Sequence, residues 1–217
     1  MRAGAVAVDA VSRLAGILAL PILSPLLLLT AAAVVIEDGF PVFFLHTRVG
    51  RNGKPFKIVK FRSMRNGQPG RQITAGGDVR ITRVGRFIRK YKLDELPQIW
   101  NLIAGDMSLI GPRPEAPAFV DMKDPKWRTI LQATPGVTDL ATLIYRNEEQ
   151  ILAGAADPEV MYRKKILPKK LALNEMYLQS RSLWSDAKLI MLTAWYSLRP
   201  VNFDPERVKK LICKDAI

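Results

Sequence analysis

At 217 residues, 48% of them hydrophobic, the chain can bury one good core and is short for two. Its 33 lysines and arginines against 20 acidic residues leave +13, which calls for an anionic partner: nucleic acid, anionic lipid headgroups or a phosphate-rich substrate. The single cysteine, Cys213, excludes an intramolecular disulfide, and with His46 as the only histidine no Cys/His spacing can build a zinc site.

The first element is an uncharged run, Leu14–Ile36, followed by a body that carries almost all the charge. A run of this length normally reads as a transmembrane helix. Pro21, Ser24 and Pro25 stand near its middle, however, where each proline removes a backbone donor, so a kink is expected at Ser24-Pro25. The halves Leu14–Ser24 and Pro25–Ile36 each reach about 16–18 Å, half to two-thirds of the hydrocarbon thickness. That length suits a re-entrant hairpin that enters and leaves one membrane face, with the Ser24 hydroxyl placed to satisfy a freed carbonyl. A kinked single span also fits, as does a cleaved signal peptide ending near Ala31-Ala32-Ala33. Arg2 and Arg13 before the run and the basic body after it place both flanks on the cytoplasmic side.

Val42–Gly50 and Lys54–Arg62 flank Arg51-Asn52-Gly53, a strong β-hairpin signal. On an alternating strand Lys60 and Arg62 share a face, so two cations can converge on one anion. Residues 66–78 hold four glycines and no apolar period, and read as a loop. A helix follows, with Val84, Phe87, Ile88 and Tyr91 on one side and arginines and lysines around the rest. In Leu93-Asp94-Glu95-Leu96-Pro97, Asp94 is placed to cap a new helix that carries Pro97 in its first turn and ends at Gly105. Gly111-Pro112-Arg113-Pro114 is a stiff turn that presents Arg113 with little freedom. Asp157-Pro158 starts a helix that Pro168 interrupts before Lys169–Ser182 resumes it, and the last strong helix covers Ser185–Leu198. Trp184, Trp195 and Tyr196 suit either an interfacial segment or an amphipathic core helix.

Acidic residues at a helix start usually only cap it and complement its dipole. The same location can keep a carboxylate ionised and aimed at a phosphate, from which it can attack phosphorus to give an acyl phosphate. A neighbouring carboxylate is then free to hold Mg²⁺, which takes one or two carboxylates plus substrate phosphates. Lys60, Arg62 and Arg113 are the cations available to the phosphates.

Three motifs decide between these readings: KFRSM at 60–64, LDELPQIWN at 93–101 and GDMSLIGPRPE at 105–115. Together with TPGVTDLA at 134–141 and ILPKKLALNEMYL at 166–178, they resemble the bacterial sugar transferase family, the monotopic polyprenyl-phosphate phosphoglycosyl transferases, from about residue 10 onward. The resemblance implies a re-entrant helix kinked at Ser24-Pro25, an Asp94-Glu95 dyad, and Mg²⁺ held by Glu95 and Asp94. It also implies transfer of a phosphosugar from a UDP-sugar to undecaprenyl phosphate through a covalent intermediate on Asp94, with release of UMP. Lys60, Arg62 and Arg113 would bind the phosphates. Tyr91-Lys92 departs from the Ser or Thr that often precedes Leu-Asp-Glu in the family, which leaves the surroundings of Asp94 open.

The expected architecture is mostly α with a small β-hairpin: a re-entrant helix and interfacial segment over 1–45 and a cytoplasmic catalytic domain over 46–217, with amphipathic helices at the membrane surface. The expected partners are the UDP-sugar, undecaprenyl phosphate and the lipids of the bacterial inner membrane, and no nucleic acid; whether it forms a homo-oligomer, and which sugar it takes, is open. His46 reads as structural or interfacial, Cys213 as an incidental thiol, and the 163–170 basic cluster as solvated surface.

Overall fold

The computed structural model describes residues 2–65, 78–198 and 203–212. Most of them are helical, with two small sheets. Helix α1, Arg2–Asp38, is one element with Pro21 and Pro25 inside it. Pro25 has no N–H to give the Pro21 carbonyl, and the Ser24 hydroxyl donates to that carbonyl instead, at 2.8 Å. Over Val8–Asp38 the mean hydropathy reaches 2.4, long and apolar enough to cross a membrane.

Both ends of α1 touch the body. Near its start, Ser12 accepts a hydrogen bond from Leu109 N–H at 3.0 Å, Asp9 lies 3.5 Å from Arg51, and Gly16 sits against Leu102 and Ile103. Near its end, Leu27, Ala31 and Val34 pack with Phe61 and Ile88. Between these contacts Pro21, Ile22, Pro25 and Leu26 are exposed, Ile22 at 77%, while Leu20, Leu23 and Ser24 are half-buried.

Strands β1 (Phe43–Val49) and β2 (Pro55–Phe61) form the expected antiparallel hairpin, in register from Phe43 opposite Phe61 to Val49 opposite Pro55. Asn52 takes the left-handed conformation (φ 57°) that this turn chemistry supplies. The glycine-rich loop lies, apart from Asp78, outside the described residues. Helix α2 (Arg83–Lys90) is capped by Thr82 and by Glu37 at the end of α1, whose carboxylate accepts from Arg83 and Val84 N–H, both at 2.7 Å. Of its expected apolar side only Ile88 is buried and Val84 half-buried. Phe87 and Tyr91, both exposed, meet each other with their rings tilted by 54°.

The segment after it departs from expectation. Leu93–Gln98 is a tight 3₁₀ turn, entered through Lys92 in the left-handed conformation, and helix α3 (Ile99–Ala104) begins only after Pro97. Asp94 therefore caps no helix. Gly105 (φ 84°) does end α3, with the Arg13 guanidinium packed over it.

A second sheet was not legible in the sequence: β3 (Ser108–Ile110) pairs in parallel with β4 (Gly136–Thr138). Its edge approaches so closely that a Cβ on Gly136 would lie 2.0 Å from the Gly111 nitrogen. In the chain α4 (Pro125–Ile130) lies between the two strands, and α5 (Leu140–Ile144) and α6 (Glu148–Ala153) follow them. Then α7 (Pro158–Met161), capped by Asp157, passes through a π-turn at Tyr162–Ile166 into α8 (Leu167–Ser180). Pro168 does not end the helix: the turn before it takes the wider π form, in which the Leu167 N–H bonds the Tyr162 carbonyl. Helix α9 (Leu183–Leu198) buries Leu189 and exposes Trp184 and Met191, and α10 (Pro205–Ile212), absent from the sequence reading, packs Val208 and Ile212 into the same core.

Candidate active site

The 3₁₀ turn lies against β2, held by Asn101, whose side chain bridges the Val59 N–H (3.1 Å) and the Lys57 carbonyl (2.8 Å). This clamp fixes the register between Lys60 and the acidic pair. Lys60 Nζ then donates to Glu95 Oε1 at 2.8 Å, and from the other side Arg113 reaches the same carboxylate, one nitrogen bonding Oε1 and the other 3.3 Å from Oε2. Glu95 is thus gripped by two cations from two separate elements.

Asp94 is different. It is only 6% exposed, and its buried Oδ1 has no hydrogen-bond partner. Burial, reinforced by the adjacent Glu95 charge, pushes its pKa up, against the pull of Lys60, Arg89 and Lys92. Burial also opposes the charge on Glu95, yet Arg113 and Lys60 hold that carboxyl well below the usual range. Two adjacent carboxylates with opposite shifts can divide the work between a fixed anion and a reactive group.

The structure brings together Asp94, Glu95, Lys60 and Arg113. It sends Arg62 elsewhere: its guanidinium donates to the Asp38 and Gly39 carbonyls, both at 2.6 Å, and pairs with the Asp38 carboxylate at 3.2 Å, at the end of α1. Lys60 and Arg62 do not converge on one anion because the Arg62 guanidinium is taken by the carbonyls and carboxylate at the end of α1. Ser24, half-buried, and Pro25, exposed, lie in the middle of α1, away from these residues.

Arg113 is held in place by residues that spacing alone did not single out. Its N–H donates to Asp139 Oδ2, and Asp139 also caps α5 through the Thr142 N–H. Gly136 N–H bonds the Pro112 carbonyl at 3.1 Å, and Val49 N–H bonds the Glu115 carbonyl at 2.9 Å. Asp139 and Glu115 both sit inside the quoted motifs, the only signal that could have found them. Arg89, paired with Glu149 of α6, is a further cation facing Asp94. Lys170, expected on a solvated surface, is buried against Glu115 instead.

Among the described residues no group of three or more metal-ligating side chains occurs. Two carboxylate oxygens nevertheless fit a divalent cation completed by substrate phosphates: the unpartnered Oδ1 of Asp94, and Oε2 of Glu95, which carries one long hydrogen bond and has a free lone pair.

A family model described as bacterial sugar transferase matches residues 5–200. Over 197 residues the chain is 39% identical to a UDP-glucose:undecaprenyl-phosphate glucose-1-phosphate transferase of Caulobacter vibrioides, covering 87% of this chain and 70% of that protein. Over 187 residues it is 40% identical to a UDP-N-acetylgalactosamine-undecaprenyl-phosphate N-acetylgalactosaminephosphotransferase of Aeromonas hydrophila, covering 83% of this chain. A UDP-glucose:undecaprenyl-phosphate glucose-1-phosphate transferase of Escherichia coli is 33% identical over 82% of this chain. The chain spans only 41% and 37% of the lengths of the last two.

Proposed function

The chain belongs to the bacterial sugar transferase family, and we propose that it moves a phosphosugar from a UDP-sugar to undecaprenyl phosphate through a covalent intermediate on Asp94. The observation that carries this reading is the buried Asp94 oxygen without a partner beside a Glu95 carboxylate already neutralised by Lys60 and Arg113.

In the first step an Asp94 oxygen attacks the phosphorus that bears the sugar. A P–O bond forms to the aspartate as the bond to the nucleotide oxygen breaks, and UMP leaves with the electron pair. In the second, an oxygen of the lipid phosphate attacks the same phosphorus and expels the aspartate, giving a lipid diphosphosugar and free enzyme. Glu95 stays an anion throughout and holds Lys60 and Arg113 where they can neutralise charge on the phosphoryl oxygens. Mg²⁺, held by Asp94 Oδ1 and Glu95 Oε2 together with the diphosphate, would supply further charge neutralisation on the leaving group. On this reading the product is the first lipid-linked intermediate in assembly of a surface glycan.

Lipid access supports the same reading. A helix that crosses a bilayer touches a body lying on one side at one end only, whereas α1 meets the body at both ends and leaves it between them. That arrangement favours a re-entrant α1 in the inner membrane, with the catalytic body on the cytoplasmic face and the exposed Phe43, Phe44 and Leu45 of β1 at the lipid surface.

The test is intact mass spectrometry of the full chain after UDP-sugar and Mg²⁺ without lipid acceptor. A phosphosugar adduct mapping to Asp94, discharged by undecaprenyl phosphate and missing in Asp94→Asn, is expected. Full turnover by Asp94→Asn overturns the mechanism.

A further inference from the structure

We infer that Lys170, through Glu115, is a positioning residue for Arg113, so that helix α8 sets the geometry of the acidic pair more than sixty residues upstream in the chain. The inference rests on the proposed role of Arg113.

Lys170 is 6% exposed, and its ammonium is matched to three acceptors: Glu148 Oε2 at 3.1 Å, the Tyr162 hydroxyl at 3.2 Å and Glu115 Oε1 at 3.4 Å. An ammonium has three donors and no acceptor, so all of its capacity is used. Glu115, 8% exposed, also accepts from the Tyr162 hydroxyl, and its other oxygen is 3.7 Å from Arg48 of β1. Two cations, two carboxylates and a phenol from four separate segments therefore meet where water is largely excluded.

A buried ionic cluster of this kind seldom adds stability over apolar residues of the same volume, so its worth lies in the geometry it enforces. What it enforces is the position of Glu115, which follows Arg113 by two residues with only Pro114 between them. Pro112 and Pro114 remove most of the freedom of the turn, so a displacement of Glu115 moves the segment as a unit. At the other end of that unit the Arg113 guanidinium grips Glu95. The sheet edge at Gly111 and Gly136 anchors the turn before Arg113, and Asp139 anchors its backbone N–H. Neither fixes what comes after it. What comes after it is fixed by the Val49 bond to the Glu115 carbonyl, by the packing of Ala116 in the core and, at the Glu115 side chain, by the Lys170 cluster.

A double-mutant cycle on the full-length protein in lipid nanodiscs separates this role from a general stabilising one. Lys170→Met, Arg113→Lys and the double variant are assayed for kcat and KM by UMP release, with Tm measured alongside. Lys170→Met is expected to lower kcat by about 10- to 100-fold, the cost of a misplacement of about 1 Å at a reacting centre. In the Arg113→Lys background it should change kcat less than twofold, because the group it positions is already compromised. Multiplying losses, or wild-type kcat in Lys170→Met, overturn the inference and leave the transferase reading intact. Wild-type kcat in Arg113→Lys overturns the Arg113 role and this inference with it. Should Lys170→Met fail to fold, Lys170→Met/Glu115→Gln removes both charges together, and the same non-additivity with Arg113→Lys is expected of it.

Discussion

Replacing Glu95 by glutamine leaves the shape of the site and removes the one anion that Lys60 and Arg113 share. A unit pair at the observed 2.8 Å attracts by about 6 kcal/mol at an effective dielectric of 20, most of it offset by desolvation. Breaking a buried pair from one side typically costs about 3–5 kcal/mol, because the partner charge is left uncompensated. Here two cations are left facing one another, but the Lys60 and Arg113 side chains keep some contact with water, so about 2–4 kcal/mol is the discounted figure. At about 2–4 °C per kcal/mol for a chain of this length, the apparent Tm of Glu95→Gln should fall by about 4–16 °C. Melts are read by tryptophan fluorescence in nanodiscs with EDTA present, at one fixed scan rate. Adding Lys60→Met to Glu95→Gln removes an orphan charge and should recover a good part of the loss. A Glu95→Gln melt within a degree of wild type, or a double variant less stable than the single, refutes the charge balance described for this site.

Asp139→Ala removes the cap of α5 and the anchor of Arg113 together, so it should cost about 0.5–2 kcal/mol of stability and lower kcat as well. Asp157→Ala, which uncaps α7 far from the site, should match its Tm loss with full activity; equal kcat in the two variants sinks the distinction. His46 is pushed down to about 4 by burial and by Arg48 and Lys60, so it is neutral near pH 7. His46→Gln should therefore leave the activity profile from pH 5.5 to 8 unchanged, and a step near 6.5 lost in the variant is the contrary result. Burial opposes the charge on Glu115, but Lys170, Tyr162 and Arg48 hold its pKa below the ordinary 4.5. Its stabilising contribution is then present above that value and lost as pH falls through the lower folded one, so Tm of Glu115→Gln should depend less on pH below 4.5 than wild type does. In a Cys213→Ser background, Ala10→Cys and Phe40→Cys should both react with an impermeant maleimide only after spheroplasts are permeabilised. Opposite accessibility of the two ends of α1 removes the re-entrant proposal.

The parts of the fold legible in the sequence are those whose causes are local. Asn52-Gly53 sets its hairpin through its own φ preference, Gly105 ends α3 for the same reason, and Asp157 with Pro158 starts α7. The parallel pairing of β3 with β4 was hidden because each strand is three residues long and its partner lies more than twenty-five residues away. Arg62 shows the limit of reading a strand face. Alternation placed it beside Lys60, but the carbonyls at the end of α1 compete for it, and nothing in the strand announces them. Lys170 shows the converse, a lysine among four other cations whose burial depends on acceptors contributed by Glu115, Glu148 and Tyr162.

The acidic pair itself was ambiguous because adjacent carboxylates at a helix start have an ordinary explanation, and that explanation makes a geometric demand. A capping aspartate gives its oxygens to backbone N–H groups at the helix start. Asp157 and Asp139 do so in this protein, and Asp94 does not. A buried oxygen left without a partner costs about 1–3 kcal/mol, which a fold gains nothing by keeping. Glu95 adds to that cost by pressing a like charge on its neighbour, although its own charge is held by Lys60 and Arg113. An arrangement that is unfavourable for the fold and complete apart from one acceptor suits an electrophile that supplies the missing partner. The cation that accompanies a sugar diphosphate meets that requirement at Asp94 Oδ1, leaves the other Asp94 oxygen to the phosphorus and leaves Glu95 to hold the positive charges in place.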